Sequence, residues 1–576
     1  MLRGDGGTGR RVEPCPLRRD VQVRFDDGRT FCGQSGTPLG EFVAAATGDD
    51  FRFVAGIIDG RLRELDWPID SDVGARLVHL SDEAGYRLYQ ASAILLLEAS
   101  VAEVLPAARL QVEHSVPFGG LYCELEGDQP PTSCNLEQIK RRMQALVERD
   151  EAITRAVMTP SAALEHFEST GETDRSELLR GRTDGEIEIR ELANRTVLAH
   201  SPLLPSSGGI RQFDLSQHPP GFILHLPQRR GGEISGEPSY PKLAGVFAEY
   251  SRWLRMLEVE NVGALNTALR QGRGRELMLV GESLHSQRIS EIAAQILERK
   301  DSVRVILIAG PSSAGKTSFA KRLAIQLMSN GLRPHPLSLD DYFLPRSSAP
   351  VGEDGIQDFE SLDSLDLELL GAHLKALLEG ERVLLPRYNF ITGQRETGQG
   401  VRLDGAHVLL IEGLHGLNPD LLPAIEEEAI FRIYVSALTQ LRLDRISRIP
   451  TTDTRLIRRI VRDSHSRGYN AQKTLSRWRS VRLGEERNIF PYQENADEMF
   501  NSAMPHELSV LRRSVEPLLR QVDPEEEEYV EARRLLELVS WFDPCEVDLV
   551  PEESILREFL GGSVVVDFVA HRGRAL

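Results

Sequence analysis

The sequence predicts a multidomain chain. A first half of α+β modules leads into a second half that is an α/β domain with a parallel sheet. Three observations carry this. The chain has 576 residues, several times the length of a usual domain. Near the start, two hairpin patterns flank a short helix. From residue 303 on, apolar strands alternate with helical stretches, as a parallel sheet requires.

Taken in order, "MLRGDGGTGRRVEPCPLRRD" is rich in Gly and Arg, has no apolar segment of signal-peptide type, and reads as a disordered tail over 1–19. "DVQVRFDDGRTF" (20–31) puts Val21, Val23 and Phe25 on one face and turns at Asp27-Gly28. "TPLGEFVAAA" (37–46) reads as a helix. "FVAGIIDGRLRELDWPI" (53–69) reads as a second hairpin around Asp59-Gly60. Together, 20–82 suggest a ubiquitin-like α+β module. A second α+β region spans 83–228, with helices over 86–104 and 135–149; the latter places Leu136, Ile139, Met143, Leu146 and Val147 on one face. "SPLLPSSGG" (201–209) is a loop, and "RQFDL" and "GFILHLP" are strand-like. Residues 229–300 read as a Gly- and Pro-rich linker followed by amphipathic helices. The strands of the α/β domain, 301–545, are "VRVILIAG", "RPHPLSLD", "AHVLLIEG" and "IFRIYVSA". A helical stretch follows near 524–542, and 546–576 reads as a C-terminal tail.

The bulk numbers narrow the function class. Lys+Arg is 68 and Asp+Glu is 87, a net charge of −19. That argues against a protein-wide basic surface for DNA or an anionic membrane. The five cysteines, Cys15, Cys32, Cys123, Cys134 and Cys545, form no CxxC pair, which suits a reducing cytoplasm better than a disulfide scaffold. No apolar run reaches the roughly 20 residues that span a bilayer; "LYQASAILLLEASVAEVL" is broken by Gln90, Glu98 and Glu103.

Chemistry is concentrated after residue 305. Gly310, Pro311, Ser312, Ser313, Ala314, Gly315, Lys316 and Thr317 fit GxxxxGK(S/T), with an apolar strand before and a helix, beginning with Ser318, after. Such a loop brings backbone N–H groups and a helix N-terminus to phosphates. Lys316 is placed to reach the β- and γ-phosphates of ATP, and Thr317 to hold Mg²⁺. Asp340 in "LSLDDYF" and Glu412 in "VLLIEGLHGL" each follow an apolar strand, at the sheet edge where open α/β folds bind ligands. Asp340 could accept a hydroxyl proton or hold the metal's water; the plainer role of an acidic helix cap suits Asp341 better than Asp340. Glu412 stands where a metal-side carboxylate belongs. In "LPRYNFITGQR", Tyr388 and Phe390 lie beside Arg395, suited either to stacking on a base or to core packing. "TRLIRRIVRDSHSRGY" concentrates Arg455, Arg458, Arg459, Arg462 and Arg467, either as a solvated face or as a lid that neutralises transferring phosphate.

These residues bring a family into view. The phosphate loop, S-x-D (Ser338 to Asp340), P-x-Y-x-F (Pro386 to Phe390), I-E-G (Ile411 to Gly413) and R-R-x-x-R-D-x-x-x-R-G (Arg458 to Gly468) occur in one order over about 200 residues. The segment resembles the uridine kinase and phosphoribulokinase superfamily. It is closer to a bacterial subgroup of uridine-kinase-like proteins that shares phrases such as "FRIYVSALTQL", "IFPYQENADEMFNSAMPHEL" and "SILREFLGG". In that subgroup the first half resembles threonyl-tRNA synthetase: 20–82 its TGS domain, and 83–228 its editing-type second domain.

The resemblance implies transfer of the ATP γ-phosphoryl group to the 5′-hydroxyl of a pyrimidine nucleoside. It gives catalytic roles to Lys316, Asp340, Arg459 and Arg462. Substrate contacts fall to Asp340, Tyr342, Glu360, Tyr388, Phe390, Arg395, Arg459 and Arg462, and Mg²⁺ to Thr317 and Glu412. Some residues depart from the pattern. Gly393 takes the place of a histidine that contacts the base edge, Tyr469 replaces a lid arginine, and Glu360 stands for an Asp. In the editing-like region Gln90 and Ile94 replace an H-x-x-x-H pair, and Ala199 and Leu203 replace a Cys and a His. That region is therefore expected neither to bind zinc nor to deacylate tRNA, and to serve docking or assembly. The expected setting is a cytoplasmic homo-oligomer; RNA contact through the N-terminal domains stays open. Two other readings stand beside the nucleoside kinase: a kinase for another small hydroxyl substrate, and a nucleotide-sensing regulator associated with RNA or the ribosome.

Overall fold

The computed structural model describes residues 20–565 and 568, apart from 49, 118, 128–129, 184, 228–239, 352–357, 359, 390–391 and 405–406. The expected N-terminal tail, the linker stretch 228–239 and Phe390 lie outside the described residues.

The chain opens with β1 (Asp20–Phe25), β2 (Thr30–Gln34), β3 (Thr37–Pro38), α1 (Leu39–Thr47), β4 (Phe53–Ile58), β5 (Arg61–Glu64), β6 (Pro68–Ile69) and β7 (Val73–His79). The main sheet has the order β2-β1-β7-β4-β5, with β1 and β7 parallel and the other pairs antiparallel. Val21, Val23 and Phe25 alternate inward onto Leu39, Phe42 and Val43 of α1, as a period of two demands. This is the ubiquitin-like arrangement that the hairpin–helix–hairpin pattern suggests.

Next come α2 (Glu83–Val104), β8 (Arg109–Ser115), β9 (Leu121–Glu126), α3 (Ser133–Arg149), β10 (Thr154–Met158), α4 (Pro160–Ser169), α5 (Thr173–Leu179), β11 (Ile187–Leu192), β12 (Arg195–Leu198), β13 (Asp214–His218) and β14 (Gly221–His225). They build a four-stranded sheet, β13-β14-β9-β8, and a three-stranded one, β10-β11-β12. Helix α2 is buried on several sides: Leu95, Leu96 and Leu97 are all within the core. Helix α3 begins at a capping box between Thr132 and Asn135.

Three helices follow, α6 (Pro241–Met256), α7 (Val262–Arg270) and α8 (Gly274–Glu298). They are not a detached linker. Val262, Leu265, Ile289 and Ile292 share one core with the strands that come next. Those elements are β15 (Val305–Ala309), α9 (Lys316–Ser329), β16 (Arg333–Ser338), α10 (Leu367–Leu378), β17 (Arg382–Asn389), β18 (Gln394–Arg402), β19 (His407–Gly413), β20 (Ile430–Ser436), α11 (Thr451–Ser466), α12 (Ala471–Asn488), β21 (Glu498–Asn501), α13 (Glu507–Leu519), α14 (Tyr529–Ser540) and α15 (Arg557–Leu560). The sheet is five-stranded and parallel, ordered β16-β19-β15-β20-β21. Its central strand, β15, is apolar throughout and fully buried, as expected where helices cover both faces. The four strands expected from sequence are present. The fifth, β21, is only four residues long.

Two connections shape the site. The segment between β20 and α11 reaches back into the second α+β region: Val112 N–H donates to the Arg445 carbonyl (2.8 Å), and Ile446 joins that region's core. The C-terminal segment, expected as a tail over 546–576, is instead packed through its described part. Ile555 and Leu556 are fully buried and Phe559 nearly so.

Candidate active site

The register of the sheet assembles the site. Glu412 pairs with Ile308 on one side and Ser338 on the other. The ends of β15, β16 and β19 therefore lie side by side, and the three strand ends deliver their next residues to one edge. After β15 comes the phosphate loop; after β16, a 3₁₀ turn over Leu339–Tyr342 that carries Asp340; at the end of β19, Glu412.

The loop geometry comes from its residue types. Gly310 (φ 159°) lies so close to the Val435 carbonyl that an added Cβ would stand 1.9 Å from that oxygen. Gly315 has φ +85° and ends the loop where α9 begins. Lys316 Nζ donates to the carbonyls of Gly310 (2.9 Å) and Pro311 (3.1 Å), folding its side chain over the loop. Thr317 Oγ1 donates to both carboxylate oxygens of Glu412 (3.0 and 3.2 Å). Burial pulls the Lys316 ammonium below its ordinary value, against Glu412, Asp340, Glu558 and Glu485.

Three carboxylates are shifted upward. Burial raises Asp340, opposed by Lys316. Burial also pushes Glu360 up to about 7, with Glu485 adding to the rise and Arg459 opposing it. Glu412 is pushed up to about 7, again chiefly by burial. Glu360 can sit this deep because α12 carries a glycine opposite it: a Cβ at Gly484 would stand 2.2 Å from the Glu360 Cβ. Among the described residues, one oxygen of Glu360 is buried without a hydrogen-bond partner, so the site has an acceptor to spare.

The arginine-rich helix α11 divides into two sets. Arg455 and Arg458 are buried and locked by acids. Arg455 forms a two-pronged pair with Glu485 and donates to the Ser312 carbonyl (3.1 Å). Arg458 is paired with Glu507 and donates to the Ser502 carbonyl (2.8 Å). Ser502 Oγ in turn donates to the Ala314 carbonyl (2.5 Å). These contacts hold the phosphate loop from behind. Arg459 and Arg462 form the second set. Arg459 donates to Ser312 Oγ (2.9 Å), and Arg459, Arg462 and Arg467 gather around the buried carboxylate of Asp463. Arg459 also counters the charge of Glu360, and Arg467 is lowered mainly by burial, with Asp340 among the acids that oppose this.

Not every expected contact residue joins this group. The Tyr342 ring is buried in the cluster between the sheet and α10, with its hydroxyl 3.2 Å from His373 Nδ1. Tyr388 is in the same core, edge-on to Phe343, and its N–H donates to Asp341 (3.0 Å). Arg395 is held by Asp366 at 2.9 Å. Core packing therefore accounts for Tyr342 and Tyr388, and an ion pair for Arg395. Gly393 has φ +67° and backs onto Arg346.

Two further carboxylates reach the phosphate loop: Glu485 lies outside the motifs named above, and Glu558 falls in the shared phrase "SILREFLGG", which does not show what its acid touches. Glu485, on α12, accepts the Ser312 N–H (2.9 Å). Glu558, in the C-terminal segment, accepts both the N–H (3.1 Å) and the hydroxyl (2.8 Å) of Ser318.

Comparison with known proteins agrees with this geometry. Residues 305–509 match the family described as Phosphoribulokinase / Uridine kinase. The C-terminal half carries a P-loop kinase domain of that family. The match begins at β15 and ends in α13, so it encloses the phosphate loop, Asp340, Glu412 and the arginine helix. A solved chain from Bacillus stearothermophilus described as a possible uridine kinase is 22% identical, with a TM-score of 0.27, over 37% of this chain and 98% of that one. The N-terminal part is similar to threonine–tRNA ligases. That of Paraburkholderia xenovorans is 31% identical over 199 residues, which is 34% of this chain and 31% of the relative. That of Burkholderia lata is 30% identical over 198 residues. The chain thus spans about a third of the length of the curated relatives it matches. Among the described residues, no helix is long and apolar enough to cross a membrane.

Proposed function

We propose that the kinase domain transfers the γ-phosphoryl group of ATP to the 5′-hydroxyl of a pyrimidine nucleoside. The observation that carries this reading is the meeting of Asp340, Lys316 and Glu412 at the carboxyl edge of the parallel sheet. Phosphoryl transfer needs little covalent help from protein; it needs in-line positioning and neutralised charge.

Asp340 is the acceptor-side group. Its raised pKa makes it a better base than a surface carboxylate, so it can take the hydroxyl proton as attack proceeds. Lys316 leaves the loop carbonyls that hold it and turns its charge to the phosphates. Arg459 and Arg462, tethered through Asp463, close from the opposite side and offset the charge on the transferring group. Thr317 and Glu412 fit a cation by donor chemistry, a hydroxyl beside a carboxylate, and would hold Mg²⁺, which when bound neutralises the β- and γ-phosphates. Glu360, with its spare buried oxygen beside Arg459, is suited to accept from ribose hydroxyls.

One observation favours a second reading of the acceptor. Tyr388 packs into the core, which removes one of the two aromatic residues expected at a base. A small hydroxyl compound without a base would need only Asp340 and Glu360. Both readings meet one experiment: purified protein with ATP and Mg²⁺ against a panel of nucleosides and small alcohols, with products resolved by mass. Uridine or cytidine monophosphate is the expected product. A panel with no nucleoside monophosphate, or with only a non-nucleoside phosphate ester, contradicts the nucleoside assignment.

A further inference from the structure

The phosphate loop already holds anions of its own chain. Glu558 Oε2 accepts from Ser318 N–H and from Ser318 Oγ. Ser318 lies in the first turn of α9, where unpaired N–H groups and the helix dipole make the natural place for a phosphate oxygen. A carboxylate that takes both donors of one residue there is doing what a phosphate would do.

The contact is built rather than casual. Ile555 is fully buried, and its Cγ2 would stand 2.6 Å from a Cβ at Gly315, so the segment lies directly on the loop. Phe559 covers the guanidinium of Arg458 at 5.0 Å, the same arginine that holds the loop from behind. Arg557 ties the segment down by donating to the carbonyls of Val550 (2.6 Å) and Val547 (3.3 Å). Past α15 the chain turns through Gly561 and Gly562, both left-handed (φ 84° and 71°). Glu558 also lies near enough to Lys316 and Glu412 to act on the charge of both.

We propose that residues 551–562 are an autoinhibitory strap, with Glu558 standing in for a nucleotide phosphate on Ser318. The proposal rests on the nucleotide site described above. A bound nucleotide phosphate and the Glu558 carboxylate cannot share the two Ser318 donors, and like charges at that distance repel. Binding therefore requires the strap, or at least its glutamate, to leave. Apparent affinity is reduced by the fraction of molecules in which the strap is closed. The two left-handed glycines give the segment a pivot beyond its anchored helix, and the buried Ile555 and Phe559 return it when nucleotide departs.

The test uses the full chain and a fluorescent ADP analogue with Mg²⁺. E558A should bind it at least about tenfold more tightly than wild type, the gain expected if the strap is closed in nine molecules of ten. E558Q, which keeps the shape but loses the charge, should fall between. Equal or weaker binding by E558A with an unchanged melting profile overturns the strap. Should E558A fold poorly, wild type decides by hydrogen exchange: saturating nucleotide should speed exchange in 551–562 while slowing it in 310–318. Unchanged protection of 551–562 at saturation overturns the proposal. The strap is judged on binding alone. Tighter binding by E558A without any nucleoside phosphorylation leaves the strap standing and removes the nucleoside assignment. No nucleotide binding by either protein removes both.

Discussion

Two buried clusters of charge make an instructive pair. In the first, Glu98 of α2 is almost fully buried and lies among Arg175, Arg195 and Arg445, with Glu172, Asp174 and Asp444 completing the group. Opposite charges alternate, and despite their burial Glu98 and Glu172 are held below their ordinary values by these arginines, and Asp444 by its hydrogen bond with His200 and by Arg175. In the second, Asp340, Glu360 and Glu412 converge near Lys316, and all three are held above that range by burial. Both clusters are buried; only the first is balanced, in the sense that each of its acids is ion-paired with an arginine, whereas among the described residues Asp340, Glu360 and Glu412 form no such pair. A balanced cluster is a lock, and here it locks the β20–α11 connection into the second α+β region, just before the arginine helix. An unbalanced cluster is poorly satisfied until positive charge or a hydroxyl substrate arrives, which is the state expected of a site.

The largest effect should come from unbalancing the lock. E98A removes the one carboxylate oxygen that Arg175, Arg195 and Arg445 all contact in a buried place, and breaking a buried charge group of this kind costs about 3–5 kcal/mol. A large drop in the denaturation midpoint, led by the region around α2, is expected in a urea titration followed by circular dichroism. A change of under about 1 kcal/mol, the worth of a surface ion pair, would erase the distinction between the clusters.

A smaller effect is expected from pH. The folded pKa of Glu360 is raised from 4.5 to about 7. The folded state then holds the proton more tightly than the unfolded chain, and stability present below pH 4.5 is lost as pH rises through 7, up to about 3 kcal/mol less solvent screening. Glu98 and Glu172 have lowered pKa values, so their stability is present above pH 4.5 and is lost as pH falls below it. Without nucleotide, melting temperature should therefore decline from pH 5.5 to 8, and E360Q should flatten that decline. A slope unaltered in E360Q would place the proton elsewhere.

The two clusters also differ in how far the sequence reveals them. The phosphate loop is eight consecutive residues, so its geometry is local and legible. Asp340 and Glu412 are legible because each closes an apolar strand, and strand ends meet at one edge in a parallel sheet. The ubiquitin-like module is legible from alternation and Asp-Gly turns. Side-chain direction in irregular segments is not: Tyr342 and Tyr388 are aromatic residues near the site in sequence, yet the turn and strand that carry them point their rings into the core. The arginines of α11 look alike in sequence. Only the fold brings Glu485 to Arg455 across 30 residues and Glu507 to Arg458 across 49. Glu558 reaches Ser318 across 240 residues; one acid in "SILREFLGG" gives no local sign of it. The buried lock is equally silent, since its partners come from α2, α5, β12 and the β20–α11 connection.

The central claim is that the unbalanced cluster is an acceptor site and that Asp340 takes the proton. D340N tests it most directly, because the change keeps shape and removes both the base and its charge. Steady-state nucleoside phosphorylation and equilibrium ATP binding should be measured on the same preparation. If Asp340 is the base, kcat falls by about a hundredfold or more, the usual worth of a positioned base, with ATP affinity kept within a few-fold. Turnover near wild type, or loss of ATP binding in place of turnover, would contradict the claim and make Asp340 a structural residue.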